Sequence, residues 1–337
     1  MTNLTQFMTA AADTRPTAIA TIMGTRKRNW YEHRERVAKL ADSLRKLGAS
    51  AGDRVAILAL NSDRYTEYYH AVWWAGAAVV PMNIRWTSVE NAYSLNDSEA
   101  EILFVDKAFA LVVDEIRTEC PKLKNVIYLD DGEVPEDMLA YEDLVNQGSL
   151  CDDAMRLGED LAGLYYTGGT TGFPKGVMLP HRALWYNNLV MSKMSEARPE
   201  SSYLHAGPMF HLADGCASGG LTAVGATHVY VPMFDIEGVV STIETHGVTH
   251  TLMVPTMIGM LLNSDTFDPA RLASLQYMTY GASPMPEGLL TDLIERVPDL
   301  NIIQGYGQTE LAPIVSTLQP EFHVLGDNNS KLRSAGR

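Results

Sequence analysis

"RVAILALNSDRYTEYYHAVWWAGAAVVPMN", Arg54–Asn83, holds two short aliphatic runs on either side of an aromatic segment. Neither "RVAILAL" nor "AAVVPMN" alternates apolar with polar residues, so each is predicted as a strand buried on both faces. Between them "DRYTEYYHAVWWAGA" has the length of a helix, and Pro81 ends the second strand. A strand, a helix and a strand without a tight hairpin form a parallel crossover unit.

The same alternation extends in both directions. Upstream, Val37, Leu40, Ala41, Leu44 and Leu47 recur at helical spacing before "LGASAGD" turns the chain into the first strand. Downstream, "EILFVD", "NVIYLD", "THVYVP", "HTLMVP", "LQYMTYG" and "LNIIQGYG" read as strands, separated by helical stretches such as "HRALWYNNLVMSKM" and "IEGVVSTIETHG". The expected class is α/β, with two doubly wound, mainly parallel sheets and helices on both faces. We place the first α/β unit at about 50–180, the second at about 15–49 plus 181–320, and a further β-rich portion from 321 to 337. The polar, acidic stretch Asp130–Asp153 is expected to be a surface connection.

With 337 residues, 46% of them hydrophobic, the chain can bury more than one core. A net charge of −15 argues against a surface that binds nucleic acid or anionic membrane non-specifically, so any phosphate site must be local. No apolar run reaches the ~18 residues of a membrane span. Three widely spaced cysteines, Cys120, Cys151 and Cys216, suit a reducing compartment, and a cytoplasmic location is expected.

Three glycine-bearing segments follow predicted strand ends, where open α/β sheets bind ligands. The first is "YTGGTTGFPKGVMLPHR", Tyr166–Arg182. Small residues let its N–H groups and hydroxyls turn onto an anion, and Lys175 can reach a terminal phosphate. It is not the pattern G-x-x-x-x-G-K-[ST], since Pro174 precedes Lys175 and Gly176 follows it. A plain surface loop is the competing reading. The other two segments are "GASPMP", Gly281–Pro286, and "YGQTE", Tyr306–Glu310, which alone could be a turn carrying a solvated glutamate.

In order and spacing these segments resemble the adenylate-forming superfamily, which contains acyl-CoA synthetases, peptide-synthetase adenylation domains and beetle luciferases. The loop pattern [ST]-G-[ST]-T-G-x-P-K-G is matched over Thr167–Gly176, with Gly169 where many members carry a hydroxyl. "YGQTE", "GPMFHLADG" and "AGAAVVPMNIRWTSVE" match three further segments. The resemblance implies activation of a carboxylic acid by ATP to acyl-adenylate, then thioester formation with coenzyme A. Thr167, Gly168, Gly169, Thr170, Thr171, Gly172 and Lys175 would hold the β- and γ-phosphates. Glu310 would hold Mg²⁺, Thr309 the α-phosphate, and Tyr306, flanked by Gly305 and Gly307, would face adenine opposite Gly281, Ala282 and Ser283.

By the same resemblance His211 is the gate between acid and phosphates, although a merely satisfied histidine is the alternative. The acid pocket is expected along "ADGCASGG" and "MVPTM", with Asp214, Gly215, Ser218 and Gly281 on its wall and small residues leaving room. Trp73 and Trp74 are expected to pack in the core, away from ligand. "HGVTH" lacks the glutamate of H-E-x-x-H, so no zinc site is expected. "KLRSAGR" resembles a turn that precedes a small C-terminal domain in the family, which leads us to expect weak activity from this chain alone. Loading of a carrier protein, and a nucleotide-binding module without catalysis, stay open as alternatives, as does a homodimer.

Overall fold

A computed structural model describes residues 2–168, 172–326 and 331–337. The chain forms two sheets, as the unalternated strands require. One has the order Leu139–Ala140, Asn125–Tyr128, Ile102–Val105, Arg54–Leu58, Ala78–Pro81, Leu161–Thr167, Lys175–Pro180, and only its last pair is antiparallel. The other runs Ile314–Leu318, Asn301–Gly307, Tyr277–Gly281, His250–Met253, Ser202–His205, Thr227–Tyr230, Ile19–Met23, Arg26–Asn29, parallel except for the pair at each edge. An antiparallel edge strand can follow its neighbour through a short turn, whereas each interior parallel pair needs a crossover.

Helix Asp63–Ala75 lies at the centre, and all thirteen of its residues are buried. Ser62 caps its start by accepting from the Tyr65 N–H, and Gly76 ends it at φ 95°. Such a helix is compatible with its charged residues only if each is paired. Asp63 pairs with Arg26 at 2.6 Å and with Arg28; Glu67 accepts from Arg36 at 2.9 Å and from the Tyr141 hydroxyl at 2.5 Å. Arg64 reaches Glu142 at 2.6 Å. Burial alone would raise the Asp63 pKa, but the Arg26 hydrogen bond and the charges of Arg28 and Arg64 outweigh it and hold the carboxyl below its usual range.

This network corrects the reading of Asp130–Asp153 as a mere connection. That stretch contains helix Tyr141–Gln147; Tyr141 is 1% exposed, and Glu142 carries salt bridges from Arg36 and Arg64. The acidic composition reflects partners for arginines that are distant in sequence. Helix Leu212–Ala223 was hidden behind its small residues. Two of its glycines serve close packing, since a Cβ on Gly220 would stand 2.9 Å from Met191 Cβ and one on Gly219 2.1 Å from Asn188 Nδ2, whereas a Cβ on Gly215 would meet only Tyr69 and Leu212 atoms at 3.7 Å or more.

Candidate active site

Leu161–Thr167 and Lys175–Pro180 form an antiparallel hairpin in which Thr167 stands opposite Lys175. Its loop therefore runs from one strand into another, and helix His181–Met194 starts only beyond Pro180. An anion in the loop would meet loop N–H groups and the lysine rather than a helix N-terminus, the physical difference from the P-loop. Pro174 is buried and anchors the return strand, while Lys175 is exposed. Gly172 has φ 134°, which side-chain-bearing residues rarely adopt. Gly169, Thr170 and Thr171 lie outside the described residues.

The other two segments end neighbouring strands of the second sheet. Tyr277–Gly281 and Asn301–Gly307 are parallel and place Gly281 beside Gly305. A Cβ on Gly281 would lie 2.2 Å from the Gly305 carbonyl oxygen, and one on Gly307 would lie 2.0 Å from that of Pro313. These two glycines are required by chain packing on chain, whereas a Cβ on Gly305 would meet only Thr279 Cγ2 at 3.8 Å. Gly281→Ala is expected to lower stability by roughly 1–3 kcal/mol through strand displacement, read as a lower urea midpoint. A midpoint equal to that of the parent chain would contradict the packing argument.

Ala282 (φ 65°) then turns the chain away, with Ser283 exposed. Tyr306 is 44% exposed and its ring is free to face a ligand. Thr309–Leu311 forms a 3₁₀ turn that packs against strand Lys175–Pro180. Asn187 fixes this junction: its Nδ2 donates to the Ile314 carbonyl at 3.2 Å and its Oδ1 accepts from the Ile314 N–H at 3.0 Å. The segments bearing Lys175 and Glu310, more than 130 residues apart in sequence, thus meet where the sheets abut. Glu310 is exposed. Among the described residues no group of three or more His, Cys, Asp or Glu could hold a metal. A lone carboxylate fits Mg²⁺ only if phosphate and water supply the other oxygens, which is that ion's usual preference.

His211 occupies the N-cap position of helix Leu212–Ala223 without a side-chain cap bond, and its ring lies tilted by 41° against Phe210 at a centroid distance of 4.1 Å. Asn61 pins the segment before it, donating to the His205 and Gly207 carbonyls and accepting from the Met209 N–H at 2.8 Å; the Tyr69 hydroxyl donates to the Met209 carbonyl. Crowding by surrounding protein atoms, then the charge of Arg85, lower the His211 pKa to about 4 against the opposing pull of Asp214, although the residue itself is exposed to solvent. The ring is therefore neutral near pH 7 and can accept or donate one hydrogen bond.

Asp214 departs from the expected wall position. Its Oδ1 accepts from the Tyr203 hydroxyl at 2.9 Å and its Oδ2 lies 2.6 Å from His205 Nδ1, leaving it 1% exposed. It orients a buried chain in which His205 Nε2 meets His228 Nδ1 at 3.0 Å. A cavity does lie beside the first turn of helix Leu212–Ala223, with Gly215 and Ser218 on its wall but not His211, Asp214, Gly281 or the "MVPTM" segment. Its opposite wall comes from Thr66, Tyr69, His70 and Trp73, one stripe of helix Asp63–Ala75. Trp73 is buried in the main core as expected and in addition borders this cavity, its indole N–H anchored on the Ala162 carbonyl at 2.8 Å. Trp74 packs in the core and donates to the Cys151 carbonyl. The i, i+3, i+4, i+7 spacing was legible, but which face it served depended on the second sheet.

A family model described as AMP-binding enzyme matches residues 8–337. The chain belongs to the AMP-binding enzyme family. Within it, the chain is 35% identical over 285 residues to a long-chain-fatty-acid–CoA ligase of Thermus thermophilus, covering 83% of this chain and 52% of that protein. It is 30% identical to a peroxisomal benzoate–CoA ligase of Arabidopsis thaliana, covering 96% and 58%. The N-terminal domain of FACL13 from Mycobacterium tuberculosis superposes with a TM-score of 0.86 at 25% identity, covering 95% of this chain and 79% of that one. The chain spans a little over half the length of the curated relatives it matches. The AMP-binding fold is thereby the fold of this chain, in agreement with the α/β reading. Among the described residues no helix is long and apolar enough to cross a membrane.

Proposed function

We propose that this chain supplies the ATP and acid sites of an AMP-forming acid–CoA ligase. A carboxylate oxygen of the acid attacks the α-phosphorus of ATP, the bond from that phosphorus to the bridging oxygen breaks, and pyrophosphate leaves. The sulfur of coenzyme A then attacks the acyl carbon and AMP departs. Carboxylate and triphosphate repel each other, so the protein's task is to position them and offset charge. Lys175 and the loop from Thr167 would neutralise the departing β- and γ-phosphates. Thr309 would donate to the α-phosphate and Glu310 would hold Mg²⁺, which polarises the phosphoryl oxygens when bound. Neutral His211 would orient the carboxylate.

The observation that carries this reading is the packing of the Thr309–Leu311 turn on the strand that begins at Lys175. It puts Lys175, which on this reading meets phosphate, and Glu310, which on this reading meets the metal, on adjoining segments. The native protein is expected to exchange labelled pyrophosphate into ATP only when a carboxylic acid is added, and to release AMP with coenzyme A present. ATP binding without exchange for any aryl, short, medium or long-chain acid would replace this reading with a non-catalytic nucleotide module. AMP release that coenzyme A does not affect would favour a carrier protein as acceptor.

A further inference from the structure

The cavity beside the first turn of helix Leu212–Ala223 is narrow, with about 20 Å³ free to the centre of a water molecule, and it is edged by polar groups that nothing in the described chain satisfies. His70 is 5% exposed, Asn188 5% and Ser218 7%, yet the His70 Nε2, the Asn188 amide and the Ser218 hydroxyl have no hydrogen-bond partner among the described residues. All three residues line the cavity. Buried polar groups are otherwise paired, and three convergent exceptions imply a polar occupant.

The tautomer of His70 follows from its neighbour. His70 Nδ1 lies 2.9 Å from His33 Nε2, and His33 Nδ1 is buried without a partner. If His70 donated across this contact, the neutral His33 ring would carry its proton on Nδ1, an orphaned buried N–H. If His33 donates, its Nδ1 is an unpaired acceptor, the lesser cost. Burial lowers the pKa of both rings, to about 3 for His33 and well below 6.5 for His70, so each has one proton. His33 therefore donates, and His70 presents an Nε2–H to the cavity.

Building on the ligase reading, we propose that His70, with Asn188 and Ser218, selects a compact acid that carries a hydrogen-bond acceptor, such as a hydroxyl or carbonyl oxygen, at the end remote from its carboxylate. The cavity is placed for this. Leu212 and Gly215, in the first turn after His211, line its near side, and His70 belongs to the opposing helix. An unbranched alkyl tail would leave all three groups unpaired.

The test is direct binding of N-acylsulfamoyl adenosines, stable mimics of acyl-adenylates, to the 337-residue chain by calorimetry. Benzoyl, 3-hydroxybenzoyl, 4-hydroxybenzoyl and octanoyl versions serve as probes. One hydroxylated analogue is expected to bind at least about tenfold tighter than both the benzoyl and octanoyl compounds. In His70→Leu that ratio should fall toward one, and in His70→Gln, which keeps a donor, part of it should return. Ser218→Ala should reduce it in a second helix, so loss of folding in one variant does not decide the matter. Equal binding of all analogues, as for a cavity that merely holds a water, or a preference untouched in His70→Leu and Ser218→Ala, overturns the proposal. Binding of no analogue overturns the ligase reading beneath it, whereas tight binding without selectivity overturns the role of His70 alone.

Discussion

Lys175→Ala is expected to raise the ATP concentration needed for half-maximal pyrophosphate exchange about 30- to 150-fold without changing the melting temperature appreciably. A lysine facing a terminal phosphate makes a charge-assisted hydrogen bond, and removing it leaves anionic oxygens with one fewer cation, a loss of about 2–3 kcal/mol. The side chain is exposed at the first residue of its strand, and its backbone pairing with Thr167 does not depend on the ammonium. Lys175→Arg should restore part of the loss, because charge is kept while the point geometry is not. Steady-state kinetics over a range of ATP at saturating acid would measure this. Unchanged ATP dependence would remove Lys175 from the phosphate site.

Acid should destabilise this protein from about pH 6.5 downward, where its buried histidines would have to take up protons. His33, His70, His181 and His228 are each at most 5% exposed, and burial lowers their pKa values: to about 3 for His33, about 4 for His181, and well below 6.5 for the other two. In the unfolded chain all four titrate near 6.5, so below that pH the unfolded state binds protons that the folded state refuses. Stability therefore falls with falling pH, by about 1.4 kcal/mol per pH unit for each such group. Across roughly pH 6.5 to 4, His33 and His181 alone would remove about 3 kcal/mol each.

Asp106 acts in the opposite sense. Burial raises its pKa to about 6, so protonation below that point favours the folded state and offsets about one histidine. Glu142, held near 2 by Arg36 and Arg64 against its own burial, contributes stability above about 4.5 that is lost on descent toward 2. Urea midpoints at pH 7.5, 6, 5 and 4 should decline steadily from the first to the last. A midpoint that is flat or rises between pH 6.5 and 5 would show that these rings accept protons in place.

Local pattern carried much of what the sequence revealed. The unalternated runs predicted the interior strands because a parallel strand is apolar on both faces, and helix His181–Met194 agrees with "HRALWYNNLVMSKM" residue for residue. Edge elements escaped notice. Arg26–Asn29 is charged, Leu139–Ala140 has two residues, and Lys175–Pro180 sits inside what reads as a loop motif, so none carries enough apolar periodicity to be seen. Asp214 was misplaced because a carboxylate in a tract of small residues looks available. Its partners Tyr203 and His205 lie on a strand that the sequence reading did not mark.

The sequence by itself determined the α/β class and the motif residues Thr167, Lys175, Tyr306, Thr309 and Glu310. Those depend on runs of a few residues, where side-chain chemistry and backbone freedom are read directly. Only the tertiary structure decided that Gly281 must be glycine, that Trp73 faces a cavity, and that His70 presents a proton to it. Each of these depends on what a second element brings within about 4 Å: the Gly305 carbonyl, the helix after His211, and the orphaned ring of His33.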